Sequence, residues 1–151
     1  VRGTHAGGRL RISARGEYAI RAVLDLALHH DRGLVPIQEI AERQRIPQRY
    51  LEQVLLALKR AGLLSSKRGA AGGYQLTRPP ETVSVGDVLR AVEGGGGPFE
   101  PPGPHAEGTE LAELWEEIAE AVSRVVDRLT FAELAARVRE RLEGTRPMYH
   151  I

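Results

Sequence analysis

The chain contains no cysteine. That absence excludes disulfides, thiolate nucleophiles, cysteine-type zinc sites and all-cysteine iron–sulfur clusters. It fits a reducing compartment without requiring one. Aromatic residues are scarce, at 5%, so a core must come mostly from Leu, Val, Ile and Ala. No apolar run approaches the roughly 20 residues a membrane span needs. Residues 1–10 lack the apolar centre of a signal peptide. The chain therefore reads as cytoplasmic, with no membrane partner. Enzyme fingerprints are missing too. The glycines at 69–73 precede a strand instead of opening a helix, and no Gly-Lys-Ser/Thr phosphate loop occurs. No Ser/His/Asp arrangement is recognisable from spacing. No catalytic residue is assigned, and an enzyme is not expected.

What is present is unevenly spread. The 151 residues suit one domain, or one domain with an oligomerisation appendage. The net charge of +1 hides an asymmetry. Residues 1–80 hold 14 Lys/Arg against 6 Asp/Glu, and residues 81–151 hold 7 Arg against 14 Asp/Glu. A basic half joined to an acidic half suggests a polyanion-binding head and a separate solvated or assembly region.

Residues 1–9 are Gly-rich and polar and read as a loose extension. Ser13 is placed to cap a helix over 14–29 that is apolar almost all round and so must pack on several partners. Its one polar stripe is Glu17, Arg21 and Asp25. Pro36 opens a short second helix, Ile37 to Arg43. A third helix follows over 48–61, burying Leu51, Val54, Leu55 and Leu58 and stopping at Gly62. Two short extended runs around the glycines at 69–73 read as a β-hairpin. Ser84 and Asp87 resemble a capping box for a fourth helix ending at Gly94. Residues 94–108 are too rich in Gly and Pro for the interior of a helix or sheet.

A long helix is predicted over 109–128. Leu111, Trp115, Ile118, Val122, Val125 and Leu129 follow a heptad spacing, the seam for pairing with another helix. Thr130 and Glu133 cap a last helix ending at Gly144. The fold class is thus mainly α with a small β-hairpin wing: a winged helix-turn-helix domain plus a long C-terminal dimerisation helix. The expected division is a winged helix-turn-helix domain over 10–93, a Gly/Pro-rich loop over 94–108, dimerisation helices over 109–143 and a loose tail over 144–151.

The order helix, helix, four-residue break, helix, hairpin is that of a winged helix-turn-helix. A recognition helix needs an apolar face on the domain and a polar face for base edges. Gln48, Arg49, Glu52 and Gln53 lie opposite the leucine stripe. Gln can bond adenine, Arg guanine, and Glu can accept from cytosine. The hairpin tip offers Lys67 and Arg68, and its glycines, Gly69 and Gly72, let backbone approach a phosphate or a minor groove. Arg11, Ser13 and Arg15 could hold phosphate at the start of the first helix.

These stretches also resemble a known family. RISARGEYAIRAVLDLAL, IQEIAERQRIPQRYLEQVLLALKRAGLLSSKRGAAGGYQLTRPP, VSVGDVLRAVEG and Trp115 ahead of LTFAEL are similar to the Rrf-two family of bacterial winged-helix regulators, which includes the IscR, NsrR and CymR types. The resemblance covers about residues 10–142, nearly the whole chain. It implies a homodimer on palindromic double-stranded operators, with Tyr50, Glu52 and Gln53 in the recognition helix and Arg68 as the wing arginine. It also implies backbone phosphate contact by the first helix.

The departures are informative. Cluster-binding members carry three cysteines in the loop before the Trp-bearing helix, and residues 94–108 have none. The place of a histidine used by some members holds Ala112, and Glu17 stands where certain members supply a carboxylate ligand. Without thiolates a lone Glu cannot hold a cluster; Glu17 is expected to pair with Arg21. Glu100, His105 and Glu107 on a Gly/Pro loop make a poor preorganised metal site. No cofactor and no metal ligand are assigned. The expected function is a cluster-free DNA-binding transcriptional regulator that represses, answering to an effector protein or small molecule. The alternative is a dimeric winged-helix adaptor that regulates, or is regulated by, a partner enzyme.

Overall fold

The computed structural model describes residues 9–10, 12–94, 98–100 and 110–144. Six helices and two short antiparallel strand pairs make up these residues. Helix α1 (Ala14–Leu28) starts at Ser13, whose hydroxyl oxygen accepts the Gly16 amide at 3.1 Å. α2 (Ile37–Gln44) follows Pro36, which sits at the N-cap with extended backbone, one position before the first helical turn. Arg45 then takes a left-handed conformation (φ 55°) and turns the chain into α3 (Gln48–Arg60). Gly62, at φ 83°, ends that helix as its sequence position predicts.

Strands β1 (Arg9–Leu10), β2 (Leu64–Lys67), β3 (Gly73–Leu76) and β4 (Phe99–Glu100) form the pairs β1–β4 and β2–β3. The β2–β3 hairpin is the wing. Val35 joins it from the segment before α2, exchanging backbone hydrogen bonds with Tyr74 at 2.9 and 2.8 Å. This contact fixes the wing against the helix-turn-helix. The β1–β4 pair corrects the reading of the N-terminal extension as loose through residue 9 and of 94–108 as loop throughout. Arg9 of the extension and the adjoining Leu10 are tied to Glu100 and Phe99 as a two-residue ladder. Residues 1–8, 95–97 and 101–108 lie outside the described residues, as does the tail from 145 to 151.

α4 (Val85–Glu93) carries the expected reciprocal capping box between Ser84 and Asp87. α6 (Phe131–Gly144) starts on the same device at Thr130 and Glu133. The two starts lie back to back, because Val85 donates to the Leu129 carbonyl and Phe131 to the Val83 carbonyl. Between them α5 (Glu110–Arg128) has no buried residue.

A single core joins α1, α2, α3, α4 and the first turns of α6. Its largest fully buried side chains include Phe131, Leu26, Ile40, Leu51, Leu55 and Leu58. α1 runs through the middle and touches α2, α3, α4, α6 and the wing, which is why its sequence is apolar on nearly every side. One buried residue breaks the apolar rule. Asp25 is 1% exposed and accepts from Arg43 Nε and Nη2 at 2.9 and 3.0 Å and from Gln44 Nε2 at 3.1 Å. The stripe Glu17–Arg21–Asp25 is therefore not one solvated face. Arg21 pairs with Glu17 at 3.5 Å, as expected, while Asp25 turns inward and locks α2 onto α1.

Candidate nucleic-acid interface

α3 divides into two faces. Leu51, Val54, Leu55 and Leu58 are buried. Gln48, Arg49, Tyr50, Glu52 and Gln53 are all exposed on the other side. The Arg49 guanidinium lies over the Tyr50 ring, 5.2 Å from its centre. This cation–π contact holds two long side chains near the start of the helix. The buried stripe is the reason the polar side faces outward: leucines at these spacings leave the helix one orientation on the core.

The wing stands beside α3. Lys67 and Arg68 are exposed at its tip. Gly69 has φ 107° and open space around its Cα, so a ligand backbone can come close there. Gly72 has a different job from the one its sequence position suggests. It is buried, and a Cβ there would run into the Lys67 carbonyl. Its amide donates to the Gly69 carbonyl at 3.0 Å, so it closes the turn instead of facing a ligand. Gly73 (φ 152°) lies equally tight against the Val35 carbonyl.

Between the wing and the start of α2 is a cleft of about 480 Å³, lined among others by Gln38, Lys59, Lys67, Arg68, Gly69 and Tyr74. Lys59 reaches into this region from the last turn of α3 and donates to the Ser66 hydroxyl at 2.7 Å. Lys59 was not among the sequence-predicted residues. Its signal was its place two turns after Glu52, on the same side of α3. Leu56, 45% exposed, is a second residue on this helix that the sequence reading passed over.

The start of α1 corrects an expectation. Ser13 does cap the helix, but its hydroxyl donates to Glu93 Oε2 at 2.5 Å and its amide to the same oxygen at 2.9 Å. A helix N-terminus favours an anion, and here a carboxylate of the same chain sits on it. Gly16 makes the room, since a Cβ would collide with Glu93. Ser13 is thus engaged internally. Arg15 remains exposed two residues along, and Arg11 lies outside the described residues.

The helix-turn-helix is braced by a chain of ions. Arg43 bridges buried Asp25 and Glu39, and Arg32 donates to both Glu39 oxygens at 2.9 and 3.0 Å, sharing Oε2 with Arg43. The hydrogen bonds from Arg32 and then Arg43 hold the Glu39 carboxyl at about 2. The Asp25 hydrogen bond, followed by that of Glu39, raises the Arg43 guanidinium above its ordinary value. Arg21 adds a donation to the Gln44 carbonyl at the end of α2. In α4, burial alone would push Asp87 up, but hydrogen bonds from the Ser84 backbone and hydroxyl, aided by Arg78 and Arg90, leave its carboxyl below the usual range.

The heptad residues of α5 are only partly at the disposal of a partner. Trp115 stacks on Phe99 of β4, ring centres 6.3 Å apart, and Leu129 packs against the core. Leu111 (52% exposed) and Val125 (46%) face outward, with Ile118 and Val122 partly exposed between them. Leu114, absent from the sequence-predicted set, is exposed as well.

A family model described as "Rrf2: Iron-dependent Transcriptional regulator" matches residues 12–137. Iron held as a thiolate cluster does not fit this donor set. The chain has no cysteine, Glu17 is in an ion pair with Arg21, and no group of three His, Asp or Glu among the described residues is placed to hold a metal. The HTH-type regulator CymR of Bacillus subtilis is 37% identical over 129 residues, 84% of this chain and 91% of CymR. The IscR regulator of Erwinia tasmaniensis is 37% identical over 131 residues, 83% of this chain and 78% of that protein. Among solved structures, CymR, described as the global cysteine regulator of B. subtilis, superposes with a TM-score of 0.76 at 37% identity, covering 85% of this chain and 98% of that one. IscR of T. potens gives 0.72 at 34%, covering 92% and 93%. With the winged helix-turn-helix in place and a family match over most of its length, the chain belongs to the Rrf2 family of DNA-binding transcriptional regulators and is not an enzyme.

Proposed function

We propose that the protein is a homodimeric, operator-binding repressor that works without an iron–sulfur cluster. The observation that carries the reading is the exposed polar face of α3, held over a fully buried leucine stripe and flanked by Lys67 and Arg68 of the wing. Arg49, Gln48 and Gln53 supply donors for purine edges and Glu52 an acceptor for cytosine. Tyr50 stands beside them. Arg15, Lys67 and Arg68 serve phosphates or the adjacent minor groove. Gly69 lets the wing backbone approach.

The outward stripe of α5 is assigned to a second copy. Its glutamates, Glu110, Glu113, Glu116, Glu117 and Glu120, precede Arg124 and Arg128, while Asp127 between these arginines is paired with Arg90 of α4. Antiparallel pairing of two such helices brings each acidic half toward the other's basic half. A dimer of winged helices reads two half-sites and so favours a palindromic operator.

The experiment is binding of the purified protein to DNA from upstream of its own and neighbouring genes, across a salt series. Several neutralised phosphates reduce affinity by about a thousandfold between 50 and 200 mM salt. Arg68→Ala is expected to weaken binding and flatten that slope while leaving the thermal midpoint unchanged. Binding that ignores salt, or no binding to any upstream fragment, refutes the reading. A stable protein partner recovered in place of DNA would favour the adaptor role.

A further inference from the structure

We propose that Leu56 reads the 5-methyl group of a thymine in the major groove, as an apolar contact set within an otherwise polar reading surface. The inference rests on α3 being the recognition helix.

Helical geometry sets Leu56 apart from the other leucines of α3. At about 100° per residue, Leu56 points about 150° away from the middle of the stripe formed by Leu51, Val54, Leu55 and Leu58. It therefore cannot share their burial, and it is 45% exposed. On the same wheel it falls between Glu52 and Arg49, within about 40° of each, and about 60° from Gln53. Leu56 is thus central to the face that presents these polar side chains. A single exposed leucine is ordinary on a protein surface. This one is placed where every neighbour on the face carries a hydrogen-bonding group. The other exposed large apolar residue of α3, Tyr50, sits at the margin with the Arg49 guanidinium over its ring.

The groove decides the ligand. Its base edges offer acceptors, amino donors and one apolar group, the thymine methyl. A leucine facing acceptors or donors would strip them of water without replacing their hydrogen bonds. Facing the methyl, it removes two apolar surfaces from water at once. Leu56 is eight residues beyond Gln48, about 12 Å along the axis, which is comparable with the groove's width of about 12 Å. It therefore contacts the floor one helical turn beyond Glu52 and Gln53.

The test uses a binding site selected by the protein from a random pool and then made synthetically, so that thymine carries the only 5-methyl group. Each thymine is replaced in turn by deoxyuridine, which removes the methyl and keeps the base pair. At one thymine per half-site, affinity is expected to fall about fourfold, the equivalent of one methylene-sized group returned to water. Leu56→Ala binds more weakly and shows no further loss at that position, whereas Leu56→Met retains the sensitivity. Circular dichroism and thermal midpoints of both variants check that the exposed site leaves folding intact. Indifference of the parent protein to every deoxyuridine overturns the proposal, as does a Leu56→Ala variant that keeps the full methyl effect. Steep salt dependence together with methyl indifference removes the role of Leu56 alone. No salt-dependent binding to any DNA removes the recognition helix reading with it.

Discussion

Replacing Arg43 by Ala tests the brace between α1 and α2. Asp25 is 1% exposed and its carboxylate accepts three hydrogen bonds, two of them from Arg43. Truncating Arg43 leaves a buried carboxylate with Gln44 as its remaining side-chain donor. Breaking a buried pair from one side costs about 3–5 kcal/mol. The Arg43 side chain is itself 33% exposed, so water can enter the vacated space, and the lower end, about 3 kcal/mol, is expected. With a urea slope of about 1.5–2 kcal/mol per molar, the midpoint falls by about 1.5–2 M. That is a large share of a typical stability of about 5–15 kcal/mol. The assay is urea unfolding by circular dichroism at fixed protomer concentration, because association would add to apparent stability. Asp25→Leu combined with Arg43→Met removes both charges and is expected to recover most of the loss. A shift below about 0.5 M for Arg43→Ala, corresponding to about 1 kcal/mol or less, would show that Asp25 is satisfied without its partner. A double variant no better than the single one would refute the pairing argument in another way.

Three further outcomes follow from the same geometry. Val125→Glu places a charge in the outward stripe of α5; light scattering is expected to give half the parent mass, and unchanged mass would show that this stripe is not the subunit contact. Glu39, held at about 2 against an ordinary 4.5, stabilises the fold fully above about pH 4.5, and this contribution drains away as the pH falls toward 2. Glu39→Gln should therefore flatten the acid limb of a urea-midpoint profile in that window, and an identical limb would contradict the ion chain. Gly73→Ala forces a side chain at φ 152° against the Val35 carbonyl; a loss of about 2 kcal/mol is expected, with the Tyr74 amide becoming less protected in hydrogen exchange. Unaltered exchange there would show that the wing root yields without cost.

Local chemistry carried most of the fold into the sequence. Ser13, Ser84 with Asp87, Thr130 with Glu133 and Gly62 each act within a few residues of themselves, and the helix ends lie where those residues stand. Leucine spacing likewise revealed which side of α3 is buried. Contacts between distant segments were not legible. The β1–β4 ladder joins two segments whose Gly and Pro content argues against strands. Asp25 looked like part of a surface stripe because Arg21 is four residues away, but its partner is Arg43, eighteen residues on. The heptad pattern of α5 marked an apolar stripe without saying that Phe99 would take Trp115. On the outward face of α3, residue type signalled which polar side chains are exposed. Leu56 escaped because a leucine in a leucine-rich helix is assumed to be core until its angle is checked.

The seat of Glu93 at the start of α1 has a consequence for the lifetime of the folded state. Its hydrogen bonds to Ser13 join residues eighty apart in the chain. Closing so large a loop is entropically unfavourable; the packing of α1 against α4 in the core offsets that cost, and the exposed hydrogen bonds add to that packing at the rim. The helices between these residues can collapse on Leu26, Leu51 and Leu55 before that closure is made. A bond formed after the folding barrier has little influence on how fast the chain folds, and its strength enters almost wholly into how slowly the chain unfolds. If they form after that barrier, Ser13 and Glu93 act as a latch on an assembled domain, governing its persistence more than its formation.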